Sequence, residues 1–188
     1  MPGTVYFLSL GSNLGDRRNY LREAIERLRT VATVPGELPG IEITGIASLY
    51  ETTPVGYTDQ PLFLNTAVQV ETALDPPEML AACKRVEQEL GRNTPFRWGP
   101  REIDLDLVWW GDGRPWRERR WVAPGLVIPH PRATERLFVL VPLAELAPGL
   151  PVAGRPVEDW IKLLGVAETA ETAGQAVRRV FSGPGWVS

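Results

Sequence analysis

Arg97-Trp98-Gly99-Pro100-Arg101-Glu102-Ile103-Asp104-Leu105-Asp106-Leu107-Val108-Trp109-Trp110 is the stretch that decides the fold. Aliphatic residues at 103, 105 and 107 alternate with Asp104 and Asp106, which predicts a β-strand with both carboxylates on the face opposite the aliphatic side chains. Side chains two apart on a strand lie roughly 7 Å from one another. Two partly desolvated carboxylates at this spacing resist full ionisation unless a cation lies between them. The pattern indicates either a divalent-cation site or, as the simpler alternative, a solvent-exposed sheet face.

Basic and aromatic side chains adjoin the acidic strand. Arg97 and Arg101 offer the forked donor geometry that pairs with phosphate, and Trp98 offers a flat ring for stacking. Asp is also depleted in strands, so two of them on one face require a reason. Together these neighbours favour a site for a phosphorylated molecule and a metal over an exposed sheet face.

Length and composition bound the class of protein. The chain has 188 residues, of which 44% are hydrophobic and 23% are charged, as expected for one globular domain with a core. A net charge of -3 argues against a nucleic-acid partner, because duplex binding needs a basic surface. Residues 5–10 are apolar from the start with no basic leader, and no apolar stretch reaches the length of a membrane span. We therefore expect a cytoplasmic protein without a membrane partner.

The supply of metal ligands restricts the kind of metal. The chain contains one histidine and one cysteine, which argues against zinc. Cys83 cannot form a disulfide within the chain, and its place in a predicted helix favours a buried packing role. Any metal is then held by oxygen, as magnesium, manganese and calcium are.

The residue patterns predict the elements βαββαβ along residues 4–110. They are a buried strand at 4–10, a helix capped by Asp16 and running to Val31, strands at 41–50 and 63–74, a helix capped by Asp75 and stopped by Gly91, and the acidic strand. Beyond it we expect a hairpin at 112–113 returning to residues 121–122, a loop over 124–131, helices at 136–146 and 156–164, and a mobile linker at 167–173.

This element order is typical of the α+β ferredoxin-like sandwich, here with an additional C-terminal hairpin and helices. Two helices cover one sheet face in that arrangement, and the other face stays open for a substrate. We expect one domain over residues 1–164 and a C-terminal extension over 165–188. The fold hosts unrelated functions, so chemistry has to be argued from the site.

Several motifs share a resemblance to one family. Arg-Trp-Gly-Pro-Arg-x-x-Asp-Leu-Asp-Leu at 97–107 resembles the signature of 6-hydroxymethyl-7,8-dihydropterin pyrophosphokinases. Segments at 10–15, 50–52, 59–65, 90–92, 128–130 and 136–140 are similar to that family in the same order, and the likeness runs from about residue 4 to residue 148. It implies transfer of a diphosphate from ATP to the hydroxymethyl group of a dihydropterin in folate biosynthesis, with release of AMP. A monomer acting on these small molecules is expected.

The same resemblance implies roles for individual residues. Asp104 and Asp106 would hold two magnesium ions, and Arg92 and Arg101 would act with them in catalysis. The ATP contacts it implies are Leu80, Glu87, Arg92, Trp98, Arg101, Leu107, His130 and Arg136. The pterin contacts it implies are Thr52, Val55, Phe63, Asn65, Trp98 and Phe138, with two phenylalanine rings on either side of the heterocycle.

Simpler interpretations stand beside these roles. Arg92 also fits a positive charge at a helix C-terminus, Glu87 a solvated helix residue, and His130, Phe63 and Phe138 structural packing. The chain departs from the family pattern in one place, because the loop between Arg92 and Trp98 has few basic residues. We nevertheless expect this loop to be mobile without ligand.

Other functional classes fit less well. The phosphate loop of P-loop kinases is absent from the sequence, the Gly-x-Ser-x-Gly elbow of serine hydrolases is not formed because Leu10 stands where glycine is required, and Gly11-Ser12 lies too far from Asp104 for a nucleotidyltransferase. A non-catalytic ferredoxin-like binding module remains open. Magnesium-dependent stabilisation by an ATP analogue would distinguish the enzyme from that module.

Overall fold

An antiparallel sheet forms the centre of the protein. In the computed structural model, residues 4–31, 40–93, 96, 98–113, 115–166 and 174–187 are described. The helices among them are α1 (Arg17–Thr30), α2 (Pro76–Glu89), α3 (Leu137–Leu146) and α4 (Val157–Val166). The strands are β1 (Thr4–Ser12), β2 (Glu42–Ile46), β3 (Leu49–Thr52), β4 (Phe63–Thr72), β5 (Asp104–Asp112), β6 (Arg117–Glu118), β7 (Trp121–Ala123), β8 (Leu126–Ile128), β9 (Pro151–Val152), β10 (Arg155–Pro156) and β11 (Val177–Phe181). Short 3-10 helices run over Ala133–Glu135 and Pro184–Val187.

β1 lies between β4 and β5 and is antiparallel to both. The main sheet has the order β11-β3-β4-β1-β5-β6, and β2 also pairs with β4. The expectation of a single strand over residues 41–50 is therefore wrong, because the chain forms β2 and β3 with a break at Ala47 and Ser48. Each half of the ten-residue β4 takes one of them as its partner. At the break, the backbone N–H of Ser48 donates to the carboxylate of Glu145 at 3.2 Å instead of to a strand.

The region after β5 also differs from expectation. β5 returns as β6, where Gly111 pairs with Glu118, and not at residues 121–122. Those two residues belong to β7, which pairs with β8 in the segment that was expected to be a loop. The buried side chain of Ile128 and the edge-on packing of Trp121 on Trp110, at 6.2 Å between ring centroids, hold this second hairpin against β5.

Local signals place the helix ends correctly. The Asp16 side chain accepts from the backbone N–H of Asn19, and Asp75 forms a capping box with Glu78. Gly91, which follows α2, has a φ of 76°, a conformation that glycine adopts at low cost. The expected helices at 136–146 and 156–164 correspond to α3 and α4.

The two faces of the sheet are covered differently. α1 and α2 pack on one face, where Leu105 and Leu107 are buried beside Leu8 and Leu10. The expectation that the second face stays open is wrong for half of it, because α3 and α4 cover the part around Val5 and Phe7. On the same face of β1, residues 9 and 11 are Ser and Gly, and there the face borders a cavity instead.

The C-terminal residues join the main sheet. β11 pairs with β3, and Trp186 is fully buried with its indole N–H donating to the carbonyl of Ala47 at 2.9 Å. The linker expected at 167–173 lies outside the described residues. Across the described ranges, every helix is too short or too polar to cross a membrane.

Candidate active site

A cavity of about 260 Å³ lies on the part of the second sheet face that α3 leaves free. Most of the predicted site residues line it, from both the nucleotide and the pterin sets: Arg92, Trp98, Arg101, Asp104, Asp106, His130, Arg136, Thr52, Val55, Phe63, Asn65 and Phe138. A neighbouring cavity of about 350 Å³ is lined by Leu80 and Leu107 and shares Asp106 and His130 with the first. The structure thus brings the predicted residues together, except Glu87, in two adjoining spaces.

The two carboxylates of β5 have different surroundings. Asp104 is paired with two guanidinium groups, those of Arg92 and Arg101, each at 2.8 Å. Asp106 has Arg136 as its ion-pair partner at a longer 3.8 Å. The charge of Asp104 is therefore compensated within the protein, whereas that of Asp106 is compensated only in part.

The environment of Asp106 disfavours its ionised form. Burial, and then the nearby charge of Asp104, raise its pKa to about 6, although Arg136 acts in the opposite direction. Such a carboxylate gains from a cation. Within the described residues no group of three or more His, Cys, Asp and Glu side chains could hold a metal by itself. Two carboxylates with room for phosphate and water oxygens is the donor set that magnesium uses, so the residues fit that ion.

Glu87 lies behind the cavity wall and not in it. Its side chain is buried, and its carboxylate accepts from the backbone N–H of Leu105 at 2.8 Å. The same carboxylate pairs with Lys84 at 2.9 Å and with Arg92. The alternative of a solvated helix residue is therefore wrong, and the contact with ATP stays a prediction. In the structure Glu87 orients Arg92 and ties α2 to β5.

The guanidinium of Arg92 is held by two carboxylates. The alternative that it serves only as a positive charge at the C-terminus of a helix is therefore wrong. Although burial alone would lower its pKa, Asp104 and Glu87 together raise it, so the guanidinium stays charged. The side chain points to these carboxylates at the cavity. A fixed cation at this position suits a phosphate oxygen.

His130 is neutral near pH 7. Burial, and then the charge of Arg136, lower its pKa to about 4. Its Nδ1 accepts from the backbone N–H of Arg132 at 3.1 Å, so the proton of the neutral ring lies on Nε2. Nearby, Nε of Arg136 is buried without a hydrogen-bond partner among the described residues. Both side chains line the first cavity, and the Nε2–H of His130 is a donor that its Arg132 contact does not use.

The aromatic part of the cavity is built around Asn65. Phe63 and Phe138 are half-buried and both line the cavity. Asn65 is buried, and its Nδ2 donates to the hydroxyl of Thr52 at 2.6 Å. A Cβ on Gly11 would lie 2.7 Å from Asn65 Oδ1, so only glycine leaves space for this amide. A flat ring with polar edges can be recognised by such a group.

Sequence reasoning gave no role to a network that joins two loops above the cavity. The Asn13 side chain accepts from the N–H of Arg101 at 2.8 Å and donates to Gln60 Oε1 at 3.0 Å. Gln60 in turn donates to the carbonyls of Tyr57 and Trp98. Both Asn13 and Gln60 lie in segments that resemble the family, and this was the only signal for them.

Two further cations were also missed. Lys84 lines both cavities from α2, and Arg132 lines the first, with its guanidinium 5.8 Å from the ring centroid of Trp98. Lys84 lies one helical turn after Leu80, and Arg132 follows His130 by two positions, so their spacing offered a weak signal. Thr94, Pro95 and Arg97 lie outside the described residues, and the mobility of their loop stays a prediction.

Comparison with known proteins agrees with the motif resemblance. The family model of 7,8-dihydro-6-hydroxymethylpterin-pyrophosphokinase (HPPK) matches residues 7–148. The 2-amino-4-hydroxy-6-hydroxymethyldihydropteridine pyrophosphokinase of Bacillus subtilis is 45% identical over 142 residues, which is 76% of this chain and 77% of that protein. The corresponding protein of Methylorubrum extorquens is 42% identical over 158 residues, covering 84% and 92%.

Solved structures share the fold at low sequence identity. A crystal structure of an HPPK-DHPS protein in complex with substrates has a TM-score of 0.62 at 14% identity, covering 87% of this chain and 43% of that one. Wild-type HPPK-DHPS of Plasmodium falciparum has a TM-score of 0.60 at 13% identity, covering 93% and 47%. This chain thus spans less than half of those proteins. The family predicted from the motifs is confirmed: the chain belongs to the 7,8-dihydro-6-hydroxymethylpterin-pyrophosphokinase family, a family of diphosphotransferase enzymes.

Proposed function

We propose that this protein transfers the terminal diphosphate of ATP to the hydroxymethyl group of 6-hydroxymethyl-7,8-dihydropterin, releasing AMP, as a step of folate biosynthesis. The observation that carries the proposal is the composition of one cavity. Its lining combines a carboxylate pair and several basic side chains with two phenylalanine rings and a buried amide. The first part suits a polyphosphate and the second a pterin.

The nucleotide is assigned to the space between α2 and β8. Leu80 and Leu107 provide an apolar surface for a base, and Lys84 and His130, which border both cavities, lie where phosphates would pass from one to the other. Neutral His130 binds a phosphate oxygen through Nε2–H without adding charge. Trp98 is assigned to the junction of both ligands, since its exposed ring lies at the rim of the first cavity.

The pterin is assigned to the slot between Phe63 and Phe138. Asn65 then meets the polar edge of the heterocycle, with Thr52 and Val55 forming the wall behind it. Stacking between two rings excludes water and orients the hydroxymethyl oxygen towards the phosphates.

Asp104 and Asp106 are assigned to two magnesium ions. The two carboxylates would hold the ions, which would supply Lewis-acid activation of the phosphate chain and compensation for the charge of the leaving AMP. Arg92 and Arg101 stand beside Asp104, where they hold the phosphate chain in line and stabilise charge on it. Arg136 lies on the other side, next to Asp106.

The order of the central strands supports a more specific fold class. The strands that carry the expected βαββαβ unit lie in the order β3-β4-β1-β5, all antiparallel, and α1 and α2 cover one face. We assign this unit to the ferredoxin-like class on that basis.

The test is an assay of AMP release from ATP with magnesium, in the presence and absence of the hydroxymethyl-dihydropterin. We expect AMP to form only when both substrates and the metal are present. An absence of AMP in every combination, with a folded protein, would refute the proposal. A binding module would in that case still show ligand affinity but no turnover, and calorimetry with an ATP analogue would detect it.

A further inference from the structure

A short C-terminal segment, residues 174–176, contacts two walls of the cavity, although the family match ends at residue 148. Its central residue is the half-buried Gln175. Gln175 Oε1 accepts from the backbone N–H of Leu137 at 2.9 Å, and its Nε2 donates to the backbone carbonyl of Glu135 at 3.0 Å. The carboxamide thus binds the main chain on both sides of Arg136.

These two hydrogen bonds act at the start of α3. The N–H groups in the first turn of a helix have no partner within the helix, and the residue at the N-cap of α3, Arg136, makes no side-chain capping bond. Gln175 supplies the missing acceptor from a distant part of the chain. The backbone that it holds carries both Arg136 and Phe138, whose side chains line the cavity.

The flanking residues of Gln175 bind the opposite wall. The hydroxyl of Thr53, a cavity residue, donates to the carbonyl of Gly174 at 2.6 Å and accepts from the N–H of Ala176 at 3.0 Å. The N–H of Thr53 donates to the carbonyl of Ala176 at 3.2 Å. Residues 174–176 therefore connect the wall that includes Thr53 to the first turn of α3.

The segment is itself anchored. β11 continues from it as a strand paired with β3, the N–H of Gly183 donates to Ser48 Oγ at 2.9 Å, and Trp186 is buried. A carboxamide on backbone that is anchored in this way loses little freedom when it binds, so it can hold its partners in one geometry.

We propose that Gln175 is a positioning residue for the reaction. It holds the peptide groups on both sides of Arg136 and so fixes the guanidinium beside Asp106 and the Phe138 ring at the cavity. Gln175 is not among the residues that line either cavity, so it acts through α3 and not on a substrate. The inference rests on the proposed function, because it assigns a role in that reaction to a residue outside the family match.

The test compares Gln175→Ala and Gln175→Met with Arg178→Ala. Arg178 follows the segment in β11, and its exposed side chain pairs with Glu51 at 2.7 Å, so its variant controls for general loosening of the C-terminus. Methionine keeps the length of glutamine without its hydrogen bonds. We expect both Gln175 variants to lower kcat by roughly 2- to 10-fold, the range for losing such bonds, and Arg178→Ala to leave it unchanged.

A double-mutant cycle shows whether Gln175 acts through Arg136. In an Arg136→Ala background, Gln175→Met should lower kcat by a smaller factor than it does in wild type, because one of the two groups that Gln175 positions is gone and only Phe138 remains. An equal loss in both backgrounds would overturn the proposal. So would Gln175 variants that are less stable but turn over like wild type, since that is the result of a purely structural role.

A readout independent of activity separates this proposal from the proposed function. Amide hydrogen exchange at Leu137 should be roughly 2- to 10-fold faster in Gln175→Met than in wild type, with β1 unchanged. Unchanged exchange at Leu137 would refute the capping role. If exchange at Leu137 shows the capping bond but wild type releases no AMP, the proposed function is refuted. The positioning role of Gln175 in that reaction is then refuted as well. If Gln175→Ala does not fold, Gln175→Met carries every comparison.

Discussion

Replacing Asp106 by asparagine should stabilise the ligand-free protein. The pKa of Asp106 rises from 3.8 to about 6 through burial and then Asp104, which means that folding disfavours the carboxylate. A shift of about 2 units corresponds to ~3 kcal/mol without screening. Because the side chain keeps 32% of its surface exposed, solvent screens the charge, and we expect ~1 kcal/mol.

The sign of the effect depends on pH. Below about pH 4 Asp106 is protonated in both the folded and the unfolded protein, so its ionisation costs no stability there. As the pH rises through 4 to 6, the unfolded chain loses this proton before the folded protein does, and the folded state loses stability. Above about pH 6 the loss is complete. The asparagine variant lacks this titration, so its advantage over wild type should grow from acid to neutral pH.

The assay is urea unfolding at pH 4.5 and 7.5 in the presence of EDTA, followed by tryptophan fluorescence. We expect Asp106→Asn to exceed wild type by ~1 kcal/mol at pH 7.5 and by much less at pH 4.5. The protonation of His130 near pH 4 is common to both proteins and cancels in the difference. An asparagine variant that is less stable than wild type at pH 7.5, or an advantage that is equal at both values, would refute the reasoning.

Asp104→Asn is the matched comparison. Two arginines pair with Asp104 at 2.8 Å, so its removal takes away an anion that both share, although Glu87 still pairs with Arg92. We expect a loss of about 1 to 2 kcal/mol at pH 7.5 from these charge-assisted bonds. Turnover should fall by orders of magnitude in both variants, because each removes a proposed metal ligand. Asp106→Asn should therefore be more stable but less active than wild type, whereas Asp104→Asn should be both less stable and less active.

Three further predictions concern the rest of the site. Phe63→Ala or Phe138→Ala should weaken pterin binding by roughly 1 to 3 kcal/mol and leave ATP-analogue binding nearly unchanged in calorimetry; equal losses for both ligands would show packing residues. His130 is the only histidine in the sequence, so NMR should show its ring neutral at pH 5.5 with a midpoint at about 4, and a midpoint near 6.5 would contradict the effect of burial. Amide exchange over residues 91–98 should slow when magnesium, an ATP analogue and pterin bind together, and equal exchange in the free and bound states would indicate a preformed loop. Arg92→Ala should lower the rate of the chemical step more than it lowers the affinity for ATP.

Parts of the structure that depend on neighbouring residues could be predicted from the sequence. The alternation at 103–107 placed Asp104 and Asp106 on the cavity face because strand geometry fixes side-chain direction locally. Asp16 and Asp75 marked helix starts for the same reason, since a cap binds an N–H three residues away. Motif resemblance then identified most cavity residues without showing how they are held.

Parts that depend on distant partners could not be predicted. The sequence does not distinguish Glu87 from an ordinary helix glutamate. Its role depends on the fold, which brings the N–H of Leu105, 18 residues later, to its carboxylate. Asn13 and Arg101 are 88 residues apart in sequence. The cover of α3 over half of the second sheet face also depends on tertiary packing, because a mostly apolar helix has no single face that indicates its partner.

The distribution of charge indicates how such a site works. Arg92 is oriented by Glu87 and Asp104 before any ligand arrives, so folding has already restricted its side chain. Fixed cations of this kind stabilise charge in a transition state without having to reorganise. Asp106 and Arg136, in contrast, keep incomplete partners at 3.8 Å, with the Arg136 Nε buried and unbonded among the described residues. A bound cation would complete the partners of Asp106. On the same side of the site, the backbone of Arg136 is held by Gln175, a residue from outside the family match.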